Sequence, residues 1–477
     1  MYPEVSLFID GEWGDGTQRR REPVLNPATE EIVGHVAYAD QTDLDRALAA
    51  ADAGFLIWRR TSAQERYVIL RKAAAVLRER QEVIAKLLTL EQGKPLAEAM
   101  SEISIGVELI DWFAEEGRRT YGRVVPSRVH NVQQVVIKEP VGPVAAFTPW
   151  NFPINQAVRK LAAALAAGCS IILKGPEETP ASCAELVRAF ESAGVPRGIV
   201  NLVFGVPAEI SSYLIAHPII RKITFTGSTA VGKVLAGLAG QHMKRITMEL
   251  GGHAPVIIFA DADIETALKL LTAAKYRNAG QSCVSPTRFL VHEAVYERFV
   301  QQFSLMAREL RVSDGLDPKT QMGPLANHRR RAAMEAYVAD ATEKGGRVRV
   351  GGKRLHRRGY FFEPTVLTDM SLAARVMNEE PFGPLALMIP FDSFESAIAE
   401  ANRLPYGLAA YAYTRSLKTA GELAEAIETG MISINHHGLA LPELHFGGVK
   451  DSGYGTEGGS EAIEAYLSPK LITQMQL

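Results

Sequence analysis

A cysteine at position 283 has neighbours that suit a nucleophile better than a buried filler thiol. The stretch RNAGQSCVSPTR, residues 277–288, follows a helix-like segment and precedes the strand-like residues 289–291. A nucleophilic thiolate must be exposed, held still and flanked by hydrogen-bond donors, and this polar junction can meet those needs. The sequence therefore predicts that Cys283 attacks a carbonyl substrate.

Two polar residues elsewhere could complete this chemistry. Attack on a carbonyl needs a donor for the oxyanion and usually a base for a later water. Asn151, in TPWNFPINQ, lies at a strand-to-helix junction, where its amide could join the backbone N–H of Cys283. Glu249, in TMELGGHAP, precedes a glycine pair that would allow a general base to move. A helix cap for Asn151 and a turn carboxylate for Glu249 remain the alternatives.

The segment ITFTGSTAVGK, residues 223–233, resembles a phosphate-binding helix start. A predicted strand ends at Gly227, and Ser228 opens a helix whose free N–H groups and dipole would attract an anion. Serine after glycine is also a common cap, so a cap-only role stays open. The stretch GYGTEG at 453–458 matches Gly-x-Gly-x-x-Gly, but no apolar strand precedes it and we reject it.

The segment ILKGPEETP, residues 172–180, adds candidates for binding a ribose. Lys174 and Glu177 follow a predicted strand, at the edge where open α/β sheets bind ligands. A carboxylate there accepts hydrogen bonds from both ribose hydroxyls and repels a 2′-phosphate, which favours NAD over NADP. A solvated loop charge is the alternative for Glu177.

The elements that must position these residues alternate between strand and helix. SIILKG leads into TPASCAELVRAFESAG, and KITFTGS leads into TAVGKVLAGLAG. Apolar strands between amphipathic helices indicate doubly wound parallel sheets, and a chain of 477 residues needs more than one core. Residues 120–140 and 468–477 are extended outside this pattern. Such strands pair with another subunit or form a simple edge hairpin.

The composition favours no nucleic-acid or membrane partner. The formal net charge is −2, hydrophobic residues are 47% and charged residues 22%. Three cysteines, Cys169, Cys183 and Cys283, form no CxxC pair, which argues against a disulfide scaffold or a metal cluster. No signal-peptide core or membrane-length apolar run is present, so a soluble cytoplasmic protein is expected.

Six stretches occur in the order and spacing of the aldehyde dehydrogenase superfamily: TPWNFP, FTGSTAVGK, MELGGHAP, NAGQSC, NEEPFGPL and FGGVKDSGYG. The resemblance covers almost the whole chain. It implies an aldehyde dehydrogenase-like α/β fold, with two doubly wound domains plus a β-strand oligomerisation arm in a homodimer or homotetramer. The implied segments are an NAD-binding domain (1–119 and 141–251), a catalytic domain (252–447) and the arm (120–140 and 468–477).

The resemblance also implies roles, assigned by matching position. Cys283 would be the nucleophile, Glu249 the general base and Asn151 an oxyanion donor. NAD, with NADP possible, would be held by Trp150, Lys174, Glu177, Gly227, Ser228, Leu250, Glu380 and Phe382. Thiolate addition, hydride loss to NAD and thioester hydrolysis would convert an aldehyde into an acid. A glutamate at 249 favours hydrolysis over acyl transfer to coenzyme A.

Two arginines narrow the expected substrate. Arg159 follows Asn151 by eight residues on the same predicted helix, and Arg277 precedes Cys283 by six. Both could clamp a distal carboxylate, although a structural salt bridge is the alternative for each. WNFPINQAVRK and YRNAGQSC resemble the semialdehyde branch, which includes succinate- and α-ketoglutarate-semialdehyde dehydrogenases. Phe446, in the FGG motif, is expected on the substrate side.

One loop departs from that branch. It reads HHGLALPELHFGG, with Ala440 and Leu441 where succinate-semialdehyde enzymes tend to carry serine, and His445 where proline is usual. An aromatic or longer aldehyde therefore stays open as the substrate. An acylating, coenzyme A-dependent relative and a non-enzymatic structural protein also stay open as functions. The structural protein would be free to lose the thiol, carboxylate and amide that this chain keeps.

Overall fold

The computed structural model describes residues 2–476. Met1 and Leu477, the end residues of the predicted 1–119 and 468–477 segments, lie outside the described residues. The strands are β1 Leu7–Ile9, β2 Glu12–Gly14, β3 Arg21–Asn26, β4 Glu31–Ala37, β5 Arg123–Val125, β6 Val132–Pro140, β7 Val144–Phe147, β8 Ile171–Lys174, β9 Val200–Val203, β10 Lys222–Thr226, β11 Arg245–Glu249, β12 Pro255–Ile258, β13 Arg288–His292, β14 Arg347–Val350, β15 Thr365–Thr368, β16 Leu385–Phe391, β17 Tyr406–Gly407, β18 Ala409–Tyr413, β19 Met431–Ile434, β20 Val449–Lys450, β21 Gly453–Tyr454 and β22 Leu467–Met475.

The helices are α1 Gln41–Trp58, α2 Ala63–Glu79, α3 Gln81–Gln92, α4 Leu96–Glu116, α5 Pro153–Ala167, α6 Pro180–Ser192, α7 Pro207–Ala216, α8 Thr229–Gln241, α9 Ile264–Tyr276, α10 Glu293–Glu309, α11 His328–Glu343, α12 Phe394–Asn402, α13 Leu417–Ala426 and α14 Glu461–Glu464. Sequence signals explain several starts. Asp40 and Ser62 form capping boxes at α1 and α2, and proline opens α5, α6 and α7.

The first sheet has eight strands in the order β2-β1-β9-β8-β7-β10-β11-β21. The five central strands are parallel, β1 and β21 pair with them antiparallel, and β2 pairs antiparallel with β1. The chain runs from β7 outward to β8 and β9 on one side, whereas β10 and β11 lie on the other. The carboxyl ends of β7 and β10 therefore flank a topological switch point, where open α/β sheets bind ligands.

The second sheet has seven strands in the order β14-β15-β16-β13-β12-β18-β19. All are parallel except β14. Residues 250–254 alone connect β11 of the first sheet to β12 of the second. The carboxyl end of β11 therefore adjoins the amino end of β12. The predicted fold class, two doubly wound α/β domains with an additional strand arm, is confirmed.

The arm is a three-stranded antiparallel sheet in the order β22-β6-β5. β22 pairs with β6 along its whole length, from Leu467 opposite Pro140 to Met475 opposite Val132. Apolar side chains on this sheet remain exposed, including Val124 and Leu471 at 73% and 61%. The extended segments predicted at 120–140 and 468–477 thus pair with each other.

The apolar interior divides near the β11–β12 connection. One buried cluster uses residues up to Leu250 together with residues 462–467, and another starts at Ala254 and continues to Phe446. On this basis we propose the domain boundary at 251/252 that the sequence suggests. No helix between residues 2 and 476 combines the length and the apolar character that a membrane crossing requires.

Helix α1 approaches the first sheet too closely for a side chain at Gly54. A Cβ there would lie 2.5 Å from the carbonyl carbon of Gly198 and 2.7 Å from the nitrogen of Ile199. Alanine normally stabilises a helix relative to glycine by about 1 kcal/mol. Because backbone would have to move here, we expect Gly54→Ala to destabilise the protein by about 1–3 kcal/mol, lowering the thermal midpoint.

Gly237→Ala in α8 is the matched control, since a Cβ at that exposed position meets nothing within 4 Å. It should leave the midpoint unchanged or raise it slightly. Equal midpoints for both variants, measured by calorimetry, would show that the α1 contact is not tight.

Candidate active site

A cavity of about 400 Å³ lies at the carboxyl edge of the first sheet and is closed by residues of the second domain. It is lined by nine predicted site residues: Trp150, Asn151, Gly227, Ser228, Glu249, Leu250, Cys283, Glu380 and Phe382. The candidate nucleophile, oxyanion donor, base and cofactor segments therefore meet in one place. Five further predicted residues are not part of its lining: Arg159, Lys174, Glu177, Arg277 and Phe446.

The loop before Cys283 has a strained backbone. Asn278, Ala279 and Gly280 have φ angles of 51°, 52° and 71°. Non-glycine residues in this left-handed region cost about 1–3 kcal/mol each, so the surrounding packing must hold them there. A Cβ at Gly280 would overlap the carbonyl of Gly383, which makes glycine necessary at that position. The turn holds Cys283, which is partly exposed, at the cavity wall.

The thiol of Cys283 is strongly biased toward its neutral form. Burial, with repulsion from the charges of Glu380 and Glu249, raises the pKa of Cys283 to about 12. The residue's own backbone N–H opposes the shift. That N–H therefore lies where it can stabilise negative charge beside the sulfur.

Asn151 lies before α5 rather than in it. The helix begins at Pro153 with Phe152 as its cap residue, so Asn151 does not cap α5. The prediction that Asn151 and Arg159 share a helix is wrong, because the proline starts the helix two residues later. The Nδ2 of Asn151 donates to the carbonyl of Gln281 at 3.2 Å. Its second N–H is left for another acceptor in the cavity.

Glu249 ends β11 and is 2% exposed. Neither of its carboxylate oxygens has a hydrogen-bond partner among the described residues 2–476. Burial and the charge of Glu457 raise the pKa of Glu249 well above its usual value, while Lys160 and Arg159 oppose the shift. The carboxyl group thus holds its proton tightly, and no hydrogen bond fixes its orientation.

An ion pair that the sequence did not reveal lies behind Glu249. The Nζ of Lys160 contacts Glu457 at 2.5 Å and the hydroxyl of Thr226 at 2.6 Å, and the lysine is fully buried. The detectable signal was a lysine within the apolar helix AVRKLAAALAAG, because such a charge needs a partner. Its partner could not be found, since Glu457 is 297 residues away in sequence.

The start of α8 combines a cap with an open anion site. Ser228 is the cap residue and accepts a hydrogen bond from the N–H of Val231 at 3.5 Å, so it does cap α8. Ser228 and Thr229 also line the cavity. A Cβ at Gly232 would overlap the side chain of Leu250, so glycine allows this helix to approach β11. The N–H groups of its first turn remain available to a phosphate.

Glu380 lies on the opposite side of the cavity. Its carboxylate accepts from the N–H of Gly252 at 3.1 Å, and burial raises the pKa of Glu380 to about 7. A Cβ at Gly251 would overlap this carboxylate. The rings of Trp150 and Phe382 meet edge to face with centroids 5.6 Å apart. An acidic acceptor and an aromatic wall thus lie together.

Arg330 also lines the cavity, and sequence reasoning did not identify it. Its guanidinium donates to the carbonyl oxygens of Pro381 and Phe382, which fixes the segment that carries Glu380. The only signal was the run HRRR at the start of α11. Three successive arginines point in different directions on a helix, so the run did not reveal which one faces inward.

Lys174 and Glu177 form an ion pair at the end of β8. Lys174 lies opposite Phe147 of β7 and therefore at the same sheet edge as the cavity. Burial first, and then the charge of Glu177, raise the pKa of the Tyr38 phenol. Glu177 is accordingly a partly buried, paired carboxylate rather than a solvated loop charge.

The two arginines proposed for the substrate have different surroundings. Arg159 is 4% exposed, donates to the carbonyl oxygens of Glu457 at 2.7 Å and Ala440 at 3.2 Å, and lies 4.5 Å above the ring of Phe446. Arg277 is exposed and has no ion-pair partner among residues 2–476. Its guanidinium carbon is 5.5 Å from the centre of the Phe152 ring.

Comparison with known proteins gives a consistent result across nearly the whole chain. Residues 13–472 match the model of the aldehyde dehydrogenase family. The chain is 50% identical to 4-(hydroxymethyl)benzenesulfonate dehydrogenase of Comamonas testosteroni over 99% of this chain and 98% of that protein. It is 42% identical to the NADP(+) succinate-semialdehyde dehydrogenase of Escherichia coli K12 over 98% and 96%.

A solved NAD+ complex of an aldehyde dehydrogenase from Bacillus cereus has a TM-score of 0.97 and 35% identity, covering 99% of this chain and 97% of that one. The family match and these identities far exceed what a shared fold alone produces. The chain therefore belongs to the aldehyde dehydrogenase family.

Proposed function

We propose that the protein oxidises an aldehyde that carries a distal anionic group to the corresponding carboxylic acid, with NAD or NADP as the oxidant. The observation that supports this most strongly is the single cavity lined by Cys283, Asn151, Glu249 and Ser228. A carbonyl held there has a nucleophile, an oxyanion donor, a base and an anion-binding helix end within one enclosure.

Covalent attack by Cys283 is the first proposed step. The sulfur adds to the aldehyde carbon, and the carbonyl oxygen becomes an oxyanion that accepts from the free N–H of Asn151 and the backbone N–H of Cys283. Because the pKa of the resting thiol is about 12, a nearby positive charge is needed to favour the thiolate.

Residues of the cavity and of the same sheet edge also fit a dinucleotide. The N–H groups around Ser228 would receive the pyrophosphate, Lys174 and Glu177 the adenosine ribose, and Glu380 the nicotinamide ribose. Gly232 and Gly251 allow Leu250 and Glu380 to take their places at the cavity wall, because a Cβ at either position would overlap them. When bound, the oxidised cofactor supplies the acceptor for the hydride lost by the substrate carbon.

Hydrolysis of the resulting thioester is assigned to Glu249. In its ionised form Glu249 can accept a proton from water, because a raised pKa makes the carboxylate a stronger base and its two unpartnered oxygens leave it free to rotate. Lys160 and Glu457 remain as a fixed ion pair behind it. Water therefore serves as the acyl acceptor in place of coenzyme A.

The surroundings of Arg277 support a substrate that carries an anionic group at the end away from its aldehyde. This guanidinium is exposed, lies beside the Phe152 ring and is free to form paired hydrogen bonds with a carboxylate or a sulfonate. One relative is named for an aromatic sulfonate and another for a short semialdehyde, and both compounds are anionic. We assign Arg159 to fixing the loop at Ala440, because its donors already have partners.

We also propose that the chain forms a homodimer or homotetramer through the arm sheet. Val124, Leu471 and Met475 expose large apolar area there, and such edges bind another β-sheet readily. A monomeric mass in sedimentation experiments would contradict this.

The proposed reaction predicts a specific pattern of reduced-cofactor formation. The wild type should reduce NAD or NADP with 4-formylbenzenesulfonate or succinate semialdehyde, and Cys283→Ala should abolish the reaction. Glu249→Gln should keep one rapid turnover per site and lose about 100-fold or more in steady-state rate, because the acyl-enzyme accumulates. Stopped-flow absorbance at 340 nm measures both phases. Strict dependence on coenzyme A, or no reduction with any aldehyde, would refute the proposal.

Assigning Arg277 to the substrate's anionic group predicts that removing this side chain affects anionic aldehydes more than neutral ones. Arg277→Ala should raise KM about 10- to 100-fold for both anionic aldehydes and leave benzaldehyde nearly unchanged, since a charged hydrogen-bonded contact contributes about 1.5–3 kcal/mol. Arg159→Ala is the matched comparison and should impair charged and neutral aldehydes alike. Equal losses of Arg277→Ala on all three substrates, in steady-state assays, would exclude the clamp.

The carboxylate of Glu177 is expected to favour NAD over NADP. Glu177→Ser removes the carboxylate that repels a 2′-phosphate and leaves Lys174 free, so the kcat/KM ratio of NADP to NAD should rise about tenfold or more. Glu178→Ser is the control, because that carboxylate is paired with Arg329 at 2.9 Å. An unchanged ratio in the Glu177 variant would show that the carboxylate does not discriminate between the cofactors.

A further inference from the structure

A buried cation lies directly behind the proposed oxyanion donor. Lys94, in the link between α3 and α4, has a fully buried side chain. Its Nζ is 2.5 Å from a carboxylate oxygen of Glu102 and 2.8 Å from the backbone carbonyl oxygen of Asn151. The same ammonium group lies 4.0 Å from the centre of the Phe152 ring. Lys94 does not line the cavity itself.

The partner of Lys94 fixes the other end of the same short segment. The second oxygen of Glu102 accepts from the N–H groups of Ile154 at 2.9 Å and Asn155 at 3.4 Å. The cap residue Phe152 offers no side-chain acceptor to α5, so Glu102 takes that role. The Lys94–Glu102 pair therefore holds the carbonyl of Asn151 and the first turn of α5 together.

The loop of Cys283 is attached to the same carbonyl. The Nδ2 of Asn278 donates to the Asn151 oxygen at 3.0 Å and to the Gln281 oxygen at 3.1 Å. The Nδ2 of Asn151 also donates to that Gln281 oxygen. One backbone oxygen, accepting from Lys94 and Asn278, thus connects the segment with the oxyanion donor to the strained loop that leads to Cys283.

A buried ion pair is weak evidence of a contribution to stability, because desolvation offsets its attraction. Burial lowers the pKa of Lys94 and the charge of Glu102 opposes that shift. The geometry points instead to orientation. We propose that Lys94 is a positioning residue for the oxyanion hole, which holds the Asn151 amide in register with the backbone N–H of Cys283. This inference depends on the function proposed above.

The test measures the rate of aldehyde oxidation and the accessibility of the Cys283 thiol separately. In Lys94→Met, the single-turnover rate of reduced-cofactor formation at saturating cofactor should fall about 10- to 100-fold, the loss expected for a displacement of about 1 Å at a reacting group. The dissociation constant of the cofactor should stay within about threefold. Alkylation of Cys283 by iodoacetamide should be unchanged, because that reaction forms no oxyanion. Lys94→Arg, which keeps the charge, should restore part of the rate.

Two further variants guard against a general structural effect. Lys94→Met/Glu102→Gln leaves no unpaired buried carboxylate, keeps an acceptor for α5 and carries the test if the single variant fails to fold. Lys222→Met removes another fully buried lysine, whose Nζ bonds the hydroxyl of Thr247 at 2.5 Å and has no contact with Asn151. It should lower the melting temperature while its single-turnover rate stays within about threefold.

A double-mutant cycle tests the shared carbonyl. Asn278→Ala should also slow oxidation, and the losses of Lys94→Met and Asn278→Ala should multiply less than fully, because both side chains donate to the Asn151 oxygen. Normal single-turnover rates in folded Lys94 variants, or alkylation that falls in parallel with oxidation, would overturn the inference. Inactivity of the wild type toward every aldehyde would instead refute the proposed function.

Discussion

The short connection between the two sheets determines where chemistry can occur. Only residues 250–254 join β11 to β12, so the carboxyl edge of the first sheet lies next to the amino edge of the second. Glu249 stands at one end of this connection, and the loop of Cys283 packs beside it. Each sheet alone would leave its edge open to water. Together they form a cavity with a nucleotide-binding switch point on one wall and a thiol on the other.

Desolvation governs the charges in that cavity. Burial is the largest cause of the raised pKa values of Cys283, Glu249 and Glu380, and of the lowered pKa of Lys160. Cys283 and Glu249 therefore favour their protonated forms when the enzyme rests, and Glu380 gains a proton more readily than an ordinary carboxylate. Fixed donors, rather than mobile water, must then stabilise any negative charge that develops during reaction. This explains why so much of the surrounding structure serves to orient amides and carbonyls.

Local patterns predicted much of this architecture. Strand-helix alternation indicated the two sheets, and polar residues after predicted strands marked Asn151, Ser228 and Glu249. What local patterns missed depends on contacts between distant residues. The carboxylate that pairs with Lys160 and the Asn151 oxygen that Lys94 contacts come from distant segments, and Arg330 was indistinguishable from its neighbours. The placement of Asn151 on a helix with Arg159 was wrong, since helical periodicity does not reveal that Pro153 opens a new element.

Arg159 contacts the loop at residue 440 through a backbone oxygen, that of Ala440. Every amino acid, proline included, carries that oxygen. The side chain at position 440 can therefore change while the guanidinium keeps its contact with the main chain. Enzymes that share this arrangement can in this way vary that position without losing the hydrogen bond to its main chain.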